Sequence, residues 1–386
     1  MMVSMLISDM TEDVLISRIL PLLPQARDIS VPSGDDSAVL KMRGETTVSI
    51  DMLVEGHHFT REWSTGYDVG YRAAMQNLAD AVAMGARPVS LVVGMALPED
   101  LEVSWVEDMC RGFADANAEL GVGVDGGDFV GGENIAISVT VLGDMEGRAP
   151  VLRSGAQPGD QVIHSGNMGC GIAGYELLKS GYGNDGALRA DAQAAGASGT
   201  VNAETAVDVA DPVTAGLISA AQSSASANPE TRGKLEHWQH PAANQPNAQF
   251  AELIARFLRP QPPLATALQA ATDIQLHAMM DVSDGLVRDG RRMAHSSQVW
   301  IDLDKKALDA KLGPLAAAAG RLGANRRDWL LTGGEDHGFL AVIGADDPIP
   351  AGFTRIGAVR GANQNGRLTM AGKEVAGLGG WDHFQS

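Results

Sequence analysis

Aspartate and glutamate recur along this chain in one kind of setting, beside glycine or at the end of an apolar run. Asp51 follows the β-branched stretch Thr46 to Ile50, which favours a half-buried strand. It precedes a polar loop of Glu55, Gly56, His57 and His58. Asp35, Asp36, Asp80, Asp128, Asp281, Asp284 and Glu335 repeat that placement. Any one of them reads as an ordinary turn residue; together they read as a scaffold for converging carboxylates. Two such groups within about 4 Å repel by about 4 kcal/mol at an effective dielectric of 20, so convergence requires cations. All-oxygen ligands select hard ions, and Mg2+ is the usual one where phosphates complete the shell.

Competing chemistries lack their signatures. His57 and His58 have no HExxH pattern or cysteine pair beside them for zinc, and no Ser-His-Asp or Cys-His nucleophile pattern stands out. The GxGxxG match at 121–126 follows a helical segment and precedes a strand, the reverse of the dinucleotide fingerprint. A second match at 181–186 lies in low-complexity sequence, and no P-loop pattern occurs. Gly126, Gly127 and Asp128 still suit close backbone approach to a phosphate with a carboxylate alongside. Metal-assisted phosphoryl transfer asks little beyond positioned metals and substrate clamps, and it fits this inventory best.

The elements that must position these groups are legible in part. Thr11 caps a helix over 12–23, and Thr65 with Asp68 opens a second that stops at Gly85. On that second helix Ala73, Asn77, Asp80 and Met84 share one face. Burying Asn77 and Asp80 there is costly unless a metal or a backbone end satisfies them. Residues 89–97 read as a buried strand, Ser104 and Glu107 as a capping box for a helix ending at Gly121, and 135–142 as a strand. Later, 161–164 reads as a strand and 166–171 as the entry to a helix ending near Lys179. Residues 248–258 form a helix stopped by Pro260, Pro262 and Pro263. The strand 277–280 delivers Asp281, Ser283 and Asp284, and a helix follows through Arg292. Residues 299–303 and 338–343 read as strands, with a helix capped by Asn325 and Asp328 between them and the GGED run at 333–336 before the last.

At 386 residues the chain exceeds one ordinary core, so two domains are expected: 1–150 and 151–386. The stretch 181–247 is rich in Ala, Ser, Gly and Asn with little apolar periodicity, and reads as a mobile insertion. No apolar run is long enough to span a membrane, and no secretion signal is evident. Two cysteines fit a reducing cytoplasm. A net charge of −19 argues against a nucleic-acid partner and leaves any phosphorylated ligand dependent on intervening cations.

The runs GDDSAVL (34–40), SIDMLVEGHHF (49–59), NLADAVAMGA (77–86), GGD (126–128), LRSGAQPGD (152–160), SDGL (283–286), GGED (333–336) and GWDHF (380–384) together resemble thiamine-monophosphate kinases. That family sits in the aminoimidazole ribonucleotide synthetase-like superfamily. The resemblance spans nearly the whole chain apart from 181–247. It implies an α/β fold of the α+β type, with an N-terminal domain that dimerises through its sheet and a C-terminal domain closing the cleft. It further implies ATP-dependent phosphorylation of thiamine monophosphate with several Mg2+ ions. By matching position, Asp36, Ser49, Ile50 (through its carbonyl), Asp51, Asp80, Asp128, Asp281 and Asp284 look like metal ligands, with Asp51, Asp128 and Asp284 central to catalysis. Gly127, Asp128, Arg153 and Ser283 look like nucleotide contacts; His58, Glu335 and Trp381 look like thiamine-phosphate contacts. The residues themselves do not choose His58 over His57, and Trp381 reads equally as a core plug or a stacking platform.

The chain departs from the family pattern in places. Phe129 and Val130 stand where two threonines are usual, Ala79 replaces a serine, and His337, Gly338 and Phe339 replace Tyr-Glu-Leu. Pro262 and Pro263 replace a proline-arginine pair. Two other readings therefore stand beside the kinase: another ATP-dependent synthetase of the superfamily, and a nucleotide- and metal-binding regulator without turnover.

Overall fold

The computed structural model describes residues 5–34, 37–182 and 248–375. The expected mobile insertion lies outside these residues except for Gly181 and Tyr182. A short antiparallel pair, β1 (Ile29–Val31) and β2 (Val39–Leu40), precedes the first main sheet. That sheet contains β3 (Thr46–Val54), β4 (Arg87–Leu97), β5 (Gly123–Gly131) and β6 (Ala136–Asp144), in the order β3-β6-β4-β5. All neighbours are antiparallel except β4 and β5. Gly126, Gly127 and Asp128, read from sequence as suiting close backbone approach to a phosphate, lie within strand β5, at a sheet edge where it pairs on one side only. Gly127 fits there because a Cβ would come within 2.3 Å of the Val93 carbonyl oxygen.

One face of the sheet packs against α2 (Gly66–Ala83), and α3 (Val103–Asn117) packs against α2; α1 (Glu12–Ile19) lies earlier in the chain. The start of α2 is reciprocally capped: Asp68 N–H donates to Thr65 Oγ1 (3.2 Å) and Thr65 N–H to Asp68 Oδ2 (2.9 Å). Helix α3 instead begins one residue ahead of Ser104. Val103 is buried and its N–H donates to the Met5 carbonyl, which draws the helix start forward and leaves Ser104 inside it. Helix α1 is shorter than expected, giving way to a 3-10 turn over Leu20–Leu22 that accommodates Pro21.

Glycines set the approach of α2 to α3. A Cβ at Gly66 would lie 1.9 Å from the Trp105 carbonyl oxygen, at Gly70 2.0 Å from that of Met109, and at Gly112 2.2 Å from that of Tyr67. The helices therefore touch backbone to backbone, which fixes the rotation of α2 and hence the direction of every side chain on its sheet-facing side.

The second main sheet has the order β13-β12-β9-β11-β7-β10-β8. Its strands are β7 (Gln161–Ser165), β8 (Ala278–Val282), β9 (Val299–Leu303), β10 (Gly338–Ile343), β11 (Thr354–Ala362), β12 (Arg367–Met370) and β13 (Lys373–Glu374). Only β12 and β9 run parallel. Helices α4 (Cys170–Lys179), α5 (Ala248–Leu258), α6 (Leu264–Asp273) and α7 (Leu286–Ser297) accompany it. The proline cluster that ends α5 also starts α6, with Pro263 at its N-cap. Strands β11 to β13 and helix α6 add to the elements read from sequence. Mixed helix and sheet of this kind bear out the α+β reading.

One buried cluster joins α2, α3 and the four-stranded sheet, and continues onto Ile163, Met279, Phe339 and Ala341 of the larger sheet. The two sheets therefore share apolar contact along a seam. On its other face β3 leaves Val48 (69%), Ile50 (59%) and Met52 (51%) exposed, an apolar row on a strand whose alternate residues face α2.

Replacing Gly70 by alanine forces α2 and α3 apart. We expect destabilisation of about 1–3 kcal/mol, the usual range for overpacking, measured as a lower midpoint in denaturant. An unchanged midpoint would show that the helices can separate without loss.

Candidate active site

Strand β3 and helix α2 build the first wall. Asn77 is fully buried, and its amide does two jobs: Oδ1 accepts the Asp51 N–H (3.1 Å) and Nδ2 donates to the Ala73 carbonyl (2.8 Å). A backbone end thus satisfies the buried amide and locks the edge strand to the helix at Asp51. One helical turn on, Asp80 Oδ2 accepts from Ser49 Oγ at 2.7 Å. Burial pushes Asp80 up to about 7, with Asp281 and Asp51 adding to the shift and the Ser49 hydrogen bond opposing it. Burial also raises Asp51, against the pull of His337 and together with Asp281, Glu335 and Asp284. These influences cross the seam, so both walls face one space.

The second wall comes from the end of β8 and the loop 333–337. Asp281 lies on β8, opposite Phe339 of β10. Asp284 sits just before α7, where Arg292 reaches it at 2.7 Å and Arg288 at 3.8 Å. Its N–H donates to Asp289 Oδ2 (3.0 Å), and Asp289 is fully buried beside Arg292. Burial, with Asp281 and Asp284, pushes Asp289 up to about 7. Glu335 and His337 have left-handed backbones, φ 72° and 51°, a conformation costing about 1–3 kcal/mol each that tends to collect at functional sites. Between them Asp336 accepts the N–H groups of Gly169 (2.5 Å) and Gly171 (2.9 Å), anchoring the loop on the start of α4. The Glu335 N–H donates to the Ser283 carbonyl at 2.9 Å, which ties the loop to the SDGL segment.

Two cations meet these carboxylates. His337 is 5% exposed, with Nδ1 3.5 Å from Asp281 and Nε2 3.8 Å from Glu335. Burial alone would lower its pKa, but the two carboxylates outweigh that and raise it to about 10. Arg72, buried on α2, donates from NH2 to Glu335 Oε2 (2.6 Å) and from NH1 to the His58 carbonyl (2.8 Å). Burial opposes ionisation of Glu335, yet Arg72 and His337 pull its carboxyl well below the usual range. His58 Nδ1 accepts the Val54 N–H at 3.0 Å, so a neutral ring carries its proton on Nε2.

Not every expected residue joins this cluster. Asp51, Val139, Val93 and Gly127 lie in one row across the four-stranded sheet. Three strand spacings, about 14 Å, therefore separate Asp51 from Gly127 and its neighbour Asp128. Gly126, Gly127 and Asp128 instead edge a cavity of about 310 Å³ floored by Met95, Phe113 and Phe129. Arg153 is exposed, its carbonyl held by Ser297 Oγ at 3.0 Å. Ile50 turns its side chain to the far face of the sheet, leaving only its backbone on offer. Asp36 and Trp381 lie outside the described residues. Among the described residues no three His, Cys, Asp or Glu side chains form a ready metal cage; the donors line two walls rather than one point.

Sequence reasoning did not single out Arg72, Asp289 or Asp336, and it noted His337 only as a departure from the family. For Arg72 the one local signal is a guanidinium among small apolar residues of an otherwise buried helix; its partners are more than 250 positions away in sequence or in the preceding loop.

The His337 pair has a pH signature. A raised folded-state pKa gives stability that is whole below pH 6.5 and is lost as pH climbs through about 10. In metal-free buffer the melting temperature of the native chain should fall more steeply between pH 7 and 10 than that of His337→Gln. Parallel curves for the two proteins would contradict the ion pair.

Comparison with known proteins finds relatives along nearly the whole chain. Residues 34–145 match the family model described as AIR synthase related protein, N-terminal domain. A thiamine-monophosphate kinase of Mycobacterium tuberculosis is 34% identical over 374 residues, covering 97% of this chain and 91% of the relative. The crystal structure of thiamine monophosphate kinase from Aquifex aeolicus is similar at TM-score 0.62 and 25% identity, over 94% of this chain and 96% of that one. AaThiL complexed with AMPPCP and TMP is similar at TM-score 0.63 and 27% identity, over 96% and 95% of the two chains. With identity of this level sustained along nearly its whole length, the chain belongs to the thiamine-monophosphate kinase family.

Proposed function

We propose that this chain transfers the γ-phosphoryl group of ATP to thiamine monophosphate, giving thiamine diphosphate and ADP. The observation that carries this reading is the pair of acidic walls facing across the seam, Ser49, Asp51 and Asp80 on one and Asp281 and Asp284 on the other. Asp51 and Asp80, raised by burial and by the carboxylates near them, join Asp281 and Asp284 in a donor set suited to a hard cation. Mg2+ fits it, because that ion keeps water and takes phosphate oxygens instead of demanding a complete protein cage. Those five residues would hold it, with Asp128 serving the nucleotide end and the Ile50 carbonyl and Asp36 assigned by resemblance. The ion's contribution is to neutralise negative charge on the phosphates.

The protein's own groups supply the rest. The cavity beside Gly127 and Asp128 is apolar enough for a flat base, with Phe129 on its wall in place of a hydroxyl. Arg153 and Ser283 would serve the phosphates of the same nucleotide. His58 offers its Nε2–H to the acceptor phosphate, and Glu335 offers a fixed carboxylate to the cationic thiamine. Trp381 is assigned to the thiamine ring by resemblance alone. Both cysteines are buried with thiols pushed up to about 12 by burial, which disqualifies them as nucleophiles. With no nucleophile pattern in the sequence either, transfer is taken as direct between two aligned phosphates.

The same reading places a domain division near residue 150 and a cytoplasmic setting for the reduced cysteines. It also pairs two copies through the apolar row Val48, Ile50 and Met52, too exposed to suit a free surface.

Incubation of the protein with ATP, Mg2+ and thiamine monophosphate should yield thiamine diphosphate and ADP. Asp51→Asn should cut kcat by at least about a hundredfold, the scale for losing one electrostatic stabiliser. Its melting temperature should hold or rise, because a buried charge is removed. No thiamine diphosphate from the native chain would refute the kinase reading, and near-normal turnover in the variant would remove Asp51 from the site. A chiral γ-phosphate should emerge inverted; retention would require a phosphoenzyme.

A further inference from the structure

Arg72 touches both candidate thiamine-phosphate contacts among the described residues, His58 and Glu335. Its guanidinium is buried, with one arm on the His58 carbonyl (2.8 Å) and the other on Glu335 Oε2 (2.6 Å). The ring of Phe257 on α5 lies 4.6 Å from the guanidinium carbon, stacking the planar group in place. Four segments thus meet on one fork: α2 and the loop that precedes it, and, far away in sequence, the loop 333–337 and α5.

Both attached groups are otherwise nearly fixed. The His58 ring is pinned through Nδ1 to Val54, so the position of its backbone decides where Nε2 points. The Glu335 backbone is left-handed and tied to Ser283, leaving its carboxylate as the free end of a rigid loop. Arg72 captures that end. One helical turn earlier, Asp68 meets Arg259 at 3.2 Å, so the same side of α2 is fastened to the α5 segment twice.

We propose that Arg72 is a positioning residue for thiamine monophosphate: one guanidinium spans the seam, orients Glu335 and the His58 loop together, and so sets the acceptor's seat. This rests on the kinase reading above. A planar fork with two separate arms can serve a carbonyl and a carboxylate at once, whereas lysine supplies a point charge on a flexible stem. Arg72→Lys keeps the charge and loses the geometry, which makes it the informative substitution.

The test uses the full-length enzyme. Michaelis constants for both substrates, and calorimetric titration with thiamine monophosphate, are measured for Arg72→Lys, Glu335→Gln and the double variant. Arg72→Lys should weaken thiamine monophosphate binding about tenfold, the lower end for loss of a group that orients a ligand contact, and leave the Michaelis constant for ATP within about twofold of the native value. The double variant should lose less than the sum of the two single losses, since Arg72 acts in part through Glu335 and in part through the His58 loop. Equal losses for both substrates, or losses that add in the double variant, would reduce Arg72 to a structural tie and overturn the inference. Failure of the native chain to use thiamine monophosphate would overturn the function itself; native turnover with an unmoved thiamine monophosphate constant in Arg72→Lys would overturn only the role of Arg72.

Discussion

Mutual repulsion of carboxylates is the constraint on which this structure turns. Asp51, Asp80, Asp281, Asp284 and Glu335 influence one another across a seam between two sheets. Brought together in a buried place, such groups would protonate or push the walls apart unless each had a counter-charge or a hydrogen bond. The molecule answers with a side-chain partner for four of them, and Asp51, held through its backbone, is left to the attraction of His337. Ser49 donates to Asp80, Asn77 locks the backbone at Asp51, Arg292 pairs with Asp284, His337 lies between Asp281 and Glu335, and Arg72 closes on Glu335.

Those answers hold only if the walls keep their spacing. Helix α2 carries Arg72, Asn77 and Asp80, and it is pressed against α3 through Gly66, Gly70 and Gly112. A helix free to roll would swing all three polar side chains away from their partners. Backbone-to-backbone packing on one side of α2 is thus what allows polar chemistry on the other. On the second wall the equivalent rigidity comes from hydrogen bonds: Asp336 on the start of α4, Glu335 on Ser283, and Asp289 beneath Asp284. Two left-handed residues, Glu335 and His337, persist because these anchors leave the loop no easier course.

The chain's strong negative charge makes phosphate ligands an unlikely match on long-range electrostatics alone. On the function proposed here the seam resolves this by short-range means, with buried cations on the protein side and oxygen donors suited to hard metal ions on the other. The proposed nucleotide end differs in character, since the cavity beside Gly127 is floored by Met95, Phe113 and Phe129 and set three strands away from Asp51. A long ligand crossing that sheet would join a largely apolar seat to a charged one.

The sequence by itself determined the chemistry and most of the elements. Carboxylates beside glycine or at strand ends, a capping pair at Thr65 and Asp68, and apolar runs such as 299–303 and 338–343 are local signals, and each reports an arrangement made within a few residues. The resemblance to thiamine-monophosphate kinases rested on the same local runs. Tertiary structure decided everything that depended on meeting across the seam. That Gly123 to Gly131 is an edge strand follows from pairing with β4, not from its own glycines. That Asp128 stands apart from Asp51 follows from the order β3-β6-β4-β5, which places them at opposite edges. Arg72 and Glu335 are 263 positions apart in sequence and 2.6 Å apart in space. An ion pair of that kind leaves no periodicity and no motif, because its geometry is made by packing two domains' worth of helix and sheet against each other.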